Sequence, residues 1–523
     1  MNRLPASIFN DVIGPVMRGP SSSHVAGAAR IGLLVRQSLQ GDVRNVTVQF
    51  DINGSLAESY HGHGSDIGFA SGILGMELND PSVPKACEIA QNKGIDIRYE
   101  ILDYGARHPG NYRIKALSSQ GRCVEWEAIS VGGGAIRMEK FNGFDVSVCG
   151  DFHEILITIV AAGRDPQSTI DMIRGIVRDC DDIAIQERAG VVLIAVKMHA
   201  APAEEMLSAL KKSGHIKDLT YLQPILPTLS SADCTVPFVT ATQLEDWIAR
   251  NGERELWQLA ALYEAQRGHT DERDVFEKMS ALVDIMEHAI DQGLAGTEYA
   301  DRILGPQAYK IDESVQQNRL IPCPVTNRII KSITAIMEVK SSMGVIIAAP
   351  TAGSCGCLPG TIIGAARELG KSHDEITRAM LAAGLIGVFI AENATFSAEV
   401  AGCQVECGAG SSMAAAGLVQ LLGGSAQQCL DAASMALQNV TGLACDPVAN
   451  RVEVPCLGKN IMGGVNALAC ANMALAGYDK VIPLDETIAA VYDIGQKLPL
   501  ELRCTLGGLG KTKTSMDIRS RLS

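Results

Sequence analysis

With 523 residues, 47% of them hydrophobic and 20% charged, the chain can bury a large core and should divide into about three domains at ~150 residues each. A net charge of −14 argues against nucleic acid or an anionic membrane as the main partner, while a local pocket of opposite sign could still take a small anionic substrate. The start, MNRLPASIFNDVIGP, has no apolar stretch of signal-peptide length. The longest apolar run, Met380 to Ala391, is too short to span a bilayer and suits a buried helix, so a cytoplasmic protein is expected.

Residues 1–148 mix strands and helices. NVTVQFDI alternates like a strand, and GILGMEL with PKACEIAQNKG reads as helix with a glycine stop. The polar motifs of this part are loop-like and Gly-rich: RGPSSSHVAG, NGSLAES, HGHGSD, RHPGN and VGGGAIR. In residues 149–230, HEILITIVAAG is a strand and DPQSTIDMIRGIVRDC an amphipathic helix. IAIQERAGVVLIAVKM is two strands around a turn, APAEEMLSALKKSG a second helix and IKDLTYLQPI a last strand. Strand-helix-strand-strand-helix-strand is the ferredoxin-like order, and the unit resembles an ACT-type regulatory domain. After a linker, PTLSSADCTVP, residues 240–523 lose the strand signal. DERDVFEKMSALVDIMEHAIDQG sets Val275, Met279, Leu282, Met286 and Ile290 on one helical stripe, and Ala-rich helical segments with Gly breaks continue to the end. The expected fold is multidomain α+β: an N-terminal α/β module, a central ferredoxin-like domain and a C-terminal all-α domain.

The chain has 15 cysteines, and ten lie between Cys323 and Cys504. In a reducing compartment this points away from a disulfide framework and toward metal or reactive-thiol chemistry. Cys403 and Cys407 would share a helix face, but no CxxC or histidine pair suggests zinc. Cys429 and Cys470, in Ala-rich helices, read as small buried hydrophobes. Cys445, two residues before Pro447, and Cys456, next to Pro455, differ because a nearby proline restricts the backbone. Soft thiolates suit an iron–sulfur cluster, and three ligands on a four-iron cluster would leave one iron open.

Several motifs together resemble the iron–sulfur-dependent L-serine dehydratases. They are GPSSSH (Gly19 to His24), GSLA (Gly54 to Ala57), GHGSD (Gly62 to Asp66), HPGN (His108 to Asn111), AAPTAGSCG (Ala348 to Gly356), ENATFSAEVAGCQVECG and LACDPVANRVEVPC. The resemblance covers most of the chain and implies a fusion of that family's β and α modules around the ACT-like unit. It implies a lyase that converts L-serine to pyruvate and ammonia through aminoacrylate. It also implies a [4Fe-4S] cluster on Cys403, Cys445 and Cys456, with Cys355 and Cys407 outside the ligand set. A homodimer, an amino-acid effector at the central domain, and no nucleic-acid or membrane partner complete the expectation.

Such an elimination needs a base for the Cα proton and a Lewis acid for the β-hydroxyl. His63 and Asp66 in GHGSD and His24 in SSSH are the candidate catalytic groups. Each has a bland alternative, since a histidine beside glycine can cap a turn and Asp66 can orient a histidine. Ser21, Ser22 and Ser23 offer a turn suited to a carboxylate, or an ordinary Ser-rich cap. Thr351, Gly353 and Ser354 of PTAGS, Ser55 of GSLA and Asn393 of ENATF are further candidate substrate contacts; Asn393 reads equally as a buried structural asparagine. Lys340 in MEVKSSMG could pair with the substrate carboxylate, but a helix surface is its expected place. Val25 after SSSH and Ser65 in GHGSD depart from the family pattern. The tail DIRSRLS has no terminal cysteine, so a tail-to-cluster contact is not carried over. Threonine or cysteine as substrate is the nearest alternative. Pyridoxal phosphate lacks its lysine and phosphate-loop context, and an amino-acid or redox sensor is the non-enzymatic alternative.

Overall fold

In the computed structural model, which describes residues 4–160, 166–212 and 216–522, burial alternates along β2 (Val43–Asp51) as its sequence requires of a half-buried strand. A short β1 (Val16–Arg18) precedes it. With β3 (Asp96–Leu102), β4 (Asn111–Ser118), β5 (Cys123–Gly132), β6 (Ala135–Phe141) and β7 (Phe144–Val148), β2 forms a six-stranded sheet in the order β3-β2-β4-β5-β6-β7. Only the β2–β3 pair is parallel. Helices Gly27–Leu39 and Ser65–Leu74 pack against each other. Their crossing depends on Gly72, where a Cβ would press into the carbonyl oxygen of Ala29. Trp126 Nε1 donates to Ser38 Oγ at 3.0 Å and ties the first of these helices to β5.

The middle of the chain has β8 (His153–Val160), β9 (Asp182–Arg188), β10 (Val191–Met198) and β11 (Ile216–Leu222), antiparallel in the order β11-β8-β10-β9. Helices Gln167–Ile176 and Glu204–Lys212 fall where the ferredoxin-like reading needs them; the expected opening Asp165 of the first lies outside the described residues. Ile155, Ile157, Ile173, Ile194 and Leu210 make its core. Arg122 joins this unit to the first sheet through Asp218 (2.7 Å from NH2) and Thr220 (2.6 Å).

The remainder is helical apart from β12 (Val345–Ile347). The apolar run found in the sequence lies in helix His373–Asn393, opened by a Ser372/Glu375 capping box. It packs on helix Cys407–Leu421, every residue of which is buried. On helix Glu272–Ala295, Val275, Met279, Met286 and Ile290 face inward as expected, but Val283 replaces Leu282 as the fully buried residue of the middle turn. The helical core also extends outside residues 240–523. Ile8, Phe9, Val12, Ile13 and Met17 belong to it, and β1 pairs antiparallel with β12, Val16 opposite Ile347. Apolar side chains too few for a core of their own are buried in the larger one. Among the described residues, no helix is long and apolar enough to cross a membrane.

Candidate active site

The serine turn comes first. Ser21 caps the helical turn Ser22–Ala26, accepting from His24 N at 3.4 Å. Its Oγ also lies 2.9 Å from His24 Nδ1, while His24 Nε2 lies 2.7 Å from Ser59 Oγ. Ser59 Oγ donates to Ser55 O at 2.7 Å, so it accepts the Nε2 proton and the Ser21 hydroxyl donates to Nδ1. Burial brings His24 down to about 3, so the ring is neutral. The ring of His63 meets it edge to face, centroids 4.6 Å apart. His63 is fully buried, and among the described residues no hydrogen bond satisfies either of its ring nitrogens. Burial, then His24, Arg451 and Lys340, hold it well below the ordinary histidine range, with a weaker opposing pull from the Asn450 amide.

The helical part meets this turn through Pro350–Ser354. Ala352 N donates to Ser22 Oγ at 3.1 Å, and Thr351 Oγ1 lies 3.1 Å from Ser354 Oγ. The carboxyl of Glu406 lies against this turn, within van der Waals reach of Gly353. Burial, then the neighbouring Cys403 and Glu399, push Glu406 well above the usual carboxyl range, which keeps it protonated. Asn460, fully buried, donates from Nδ2 to Gly353 O (2.9 Å) and Cys456 O (2.8 Å), and lies 3.5 Å from Cys407 Sγ. Its Oδ1 accepts from Cys357 N at 2.8 Å.

Beside this hub, Cys403, Cys407, Cys445 and Cys504 form one buried cluster with Ala398. A hydrogen bond from Cys407 lowers Cys403 to about 7 despite burial, and Lys459 adds to the effect. Cys445 is raised, first by its bond to Cys504 and then by burial. Their backbones pair too: Cys445 N donates to Leu502 O (2.8 Å) and Cys504 N to Cys445 O (3.0 Å). Cys456 opens helix Cys456–Leu475, where the helix dipole favours a thiolate. Burial raises it, and the charges of Cys403 and Cys445 reach it. Lys459 holds the intervening loop, 2.7 Å from Asp446 Oδ1 and 2.6 Å from Ala444 O. All of these cysteines are free thiols. Several buried soft sulfur donors near the ammonium of Lys459 fit an iron–sulfur cluster better than a hard cation.

Ser21, Ser22, His24, His63, Thr351, Gly353 and Ser354 are thus brought together. Ser23 and Ser55 support the turn through backbone carbonyls, which accept from Ser130 Oγ (3.0 Å) and Ser59 Oγ. Asp66 pairs with His61, at 2.6 Å, in keeping with its reading as a residue that orients a histidine, though not either site histidine. Two expectations are corrected. Asn393 ends helix His373–Asn393 exposed, its amide donating to Phe389 O at 2.9 Å, as a helix-terminal asparagine does when no buried partner is near. Lys340 is fully buried rather than on a helix surface, because β12 and the loop before Cys456 cover the end of its helix. Cys407 joins the thiol cluster, whereas Cys355 faces Met337 Sδ at 3.9 Å. Ser59, Glu399, Glu406, Lys459, Asn460 and Cys504 were not singled out by sequence reasoning. For Glu406 the signal was there: an acidic residue inside an otherwise apolar and small-residue run, VECGAG.

Residues 246–509 match the family described as serine dehydratase alpha chain, and residues 12–95 match serine dehydratase beta chain. The chain belongs to the serine dehydratase family. The probable L-serine dehydratase alpha chain of Bacillus subtilis is 39% identical over 250 residues, covering 48% of this chain and 83% of that protein. The corresponding probable beta chain of Bacillus subtilis is 41% identical over 151 residues, covering 29% and 67%. L-serine dehydratase 1 of Escherichia coli is 26% identical over 514 residues, covering 95% and 97%. This member of the family therefore carries in one chain what Bacillus subtilis divides between two.

Proposed function

We propose that the protein eliminates water from L-serine, yielding pyruvate and ammonia, with a [4Fe-4S] cluster on Cys403, Cys445 and Cys456. The observation that carries this reading is the set of buried thiols, Cys403 and Cys445 packed together and Cys456 within reach of their charges, in a protein that also buries a histidine with two unpartnered nitrogens. Family membership and the L-serine dehydratases among its relatives support the substrate. When bound, the cluster supplies a Lewis-acidic iron for the β-hydroxyl.

The protein's own groups do the rest. His63, neutral and without a hydrogen-bond partner, takes the Cα proton. His24 holds the His63 ring in place and stays neutral, its nitrogens engaged by Ser21 and Ser59. Thr351 and Ser354, together with protonated Glu406, provide hydrogen-bond donors around the substrate. Loss of the proton and the hydroxyl leaves 2-aminoacrylate, which tautomerises to the imine and is hydrolysed to pyruvate and ammonia. The ferredoxin-like unit is assigned, on its topology, as an ACT-type amino-acid sensor.

Anaerobic reconstitution with iron and sulfide, followed by pyruvate or 2-oxobutyrate assay on L-serine, L-threonine and L-cysteine, tests this. L-serine is the expected preferred substrate. Cys445→Ser should abolish cluster absorbance and turnover, and Cys429→Ser, buried near the start of helix Ala426–Gln438, should leave both largely intact. Equal effects of the two substitutions would overturn the ligand assignment.

A further inference from the structure

Lys340 occupies an unusual place for a lysine. It lies in the last turn of helix Pro324–Ser341, whose residues from Lys331 to Lys340 are all buried, and it is itself 0% exposed. Its ammonium donates to the carbonyl of Val452, in the loop between Cys445 and Cys456. Among the described residues, no carboxylate lies within ion-pair distance of it. A lysine ammonium has three protons to donate, and a buried cation without an anion is among the least favourable arrangements in a protein.

The surroundings show where an anion is missing. The loop that Lys340 bonds at Val452 also lies against the turn carrying His63, since a Cβ at Gly62 would meet Asn450 O at 2.7 Å, and it runs between Cys445 and Cys456; the Lys340 charge accordingly acts on both His63 and Cys456. Glu406, whose carboxyl the Lys340 charge reaches, is not within ion-pair distance of it. The thiols already have a cation of their own in Lys459, paired with Asp446. In the serine turn, the obvious carboxylate cradle in the sequence, Ser21 is engaged by His24 and Ser22 Oγ accepts from Ala352 N, so the turn offers hydroxyl donors but no cation.

We propose that Lys340 binds the α-carboxylate of the amino-acid substrate, which supplies the anion the buried ammonium lacks. This deepens the dehydratase reading and rests on it. The carboxylate is then held on the His63 side of the site while the β-hydroxyl points toward the thiols, which puts the Cα–H between them. The same ammonium stabilises charge that builds next to the carboxylate as the Cα proton leaves. Lys340 therefore acts on both binding and rate.

The test uses reconstituted holoenzyme, the Lys340→Met variant, and two ligands: 3-hydroxypropanoate, which has the carboxylate and β-hydroxyl, and L-serinamide, whose carboxylate is neutralised. Iron and sulfide content, visible absorbance and melting temperature are measured alongside. Lys340→Met should keep its cluster, bind 3-hydroxypropanoate at least 30-fold more weakly by calorimetry, and show a raised KM with a lowered kcat for L-serine. Lys340→Arg, which keeps the charge, should recover part of the binding. In the unmodified enzyme, L-serinamide should compete at least 30-fold less well than L-serine, a comparison that stands even if the variants do not fold. Unchanged 3-hydroxypropanoate affinity in a folded, cluster-bearing Lys340→Met protein would sink the assignment. So would equal binding of serine and serinamide by the parent, or loss of iron and sulfide from a folded variant, which would make Lys340 a cluster counter-charge. In each of these cases the parent still dehydrates serine, so the anchor fails while the dehydratase reading stands; a cluster-bearing parent that releases no pyruvate brings down both.

Discussion

His24 and His63 touch edge to face, yet only His24 has both nitrogens engaged. That difference gives them different consequences on substitution. His63→Gln should lower kcat by roughly 10²–10⁴-fold, the range for a lost general base, with iron and sulfide content unchanged. His24 should show itself in stability. The unfolded chain takes up its proton near 6.5, whereas the folded ring, held at about 3 by burial, does not. The unfolded state then binds more protons between those values, so this contribution is fully present above pH 6.5 and is lost progressively as pH falls toward 3. By pH 5 the loss is about 2 kcal/mol. The drop in unfolding free energy from pH 7.5 to 5, read from urea titrations, should therefore be smaller by about that amount in His24→Gln. An unchanged drop would mean that the folded ring accepts the proton.

At the level of elements, what could be read from sequence was local. The alternation of β2, the apolar run within His373–Asn393 and the small-residue helix Cys407–Leu421 follow from period and side-chain size. The replacement of Leu282 by Val283 on the inner stripe shows the limit: on a helix of 3.6 residues per turn, two adjacent apolar residues straddle the core edge and only the neighbours decide which is buried. Close helix crossings are a further case. Gly72 reads as an ordinary glycine near a helix end, but the helix Gly27–Leu39 passes directly over it. Gly72→Ala should destabilise the fold by about 1–3 kcal/mol through overpacking, visible as a lowered melting temperature. A variant as stable as the parent would show that the two helices can separate without penalty.

For the molecule as a whole, the cysteine and serine motifs were legible because each is contiguous, while the contacts that make them a site are not. Ser22 meets Ala352, His24 meets Ser59, Lys340 meets Val452 and Cys445 meets Cys504 across long stretches of chain. No local pattern encodes such pairings. Lys340 illustrates the point best: its sequence neighbourhood ends a helix in polar residues, MEVKSS, and only the covering strand and loop turn that end into interior. Asn393 illustrates the reverse, a residue inside a strong motif that the helix end turns outward.

The antiparallel pairing of Val16 with Ile347 and the burial of Ile8 to Ile13 among distant helices also bear on biogenesis. Residues 8–17 are translated long before the helices they pack among, and Val16 lacks its partner until Ile347 has been made. Until then the apolar side chains of Ile8, Phe9, Val12 and Ile13 stay uncovered, a target for aggregation or chaperone capture during synthesis.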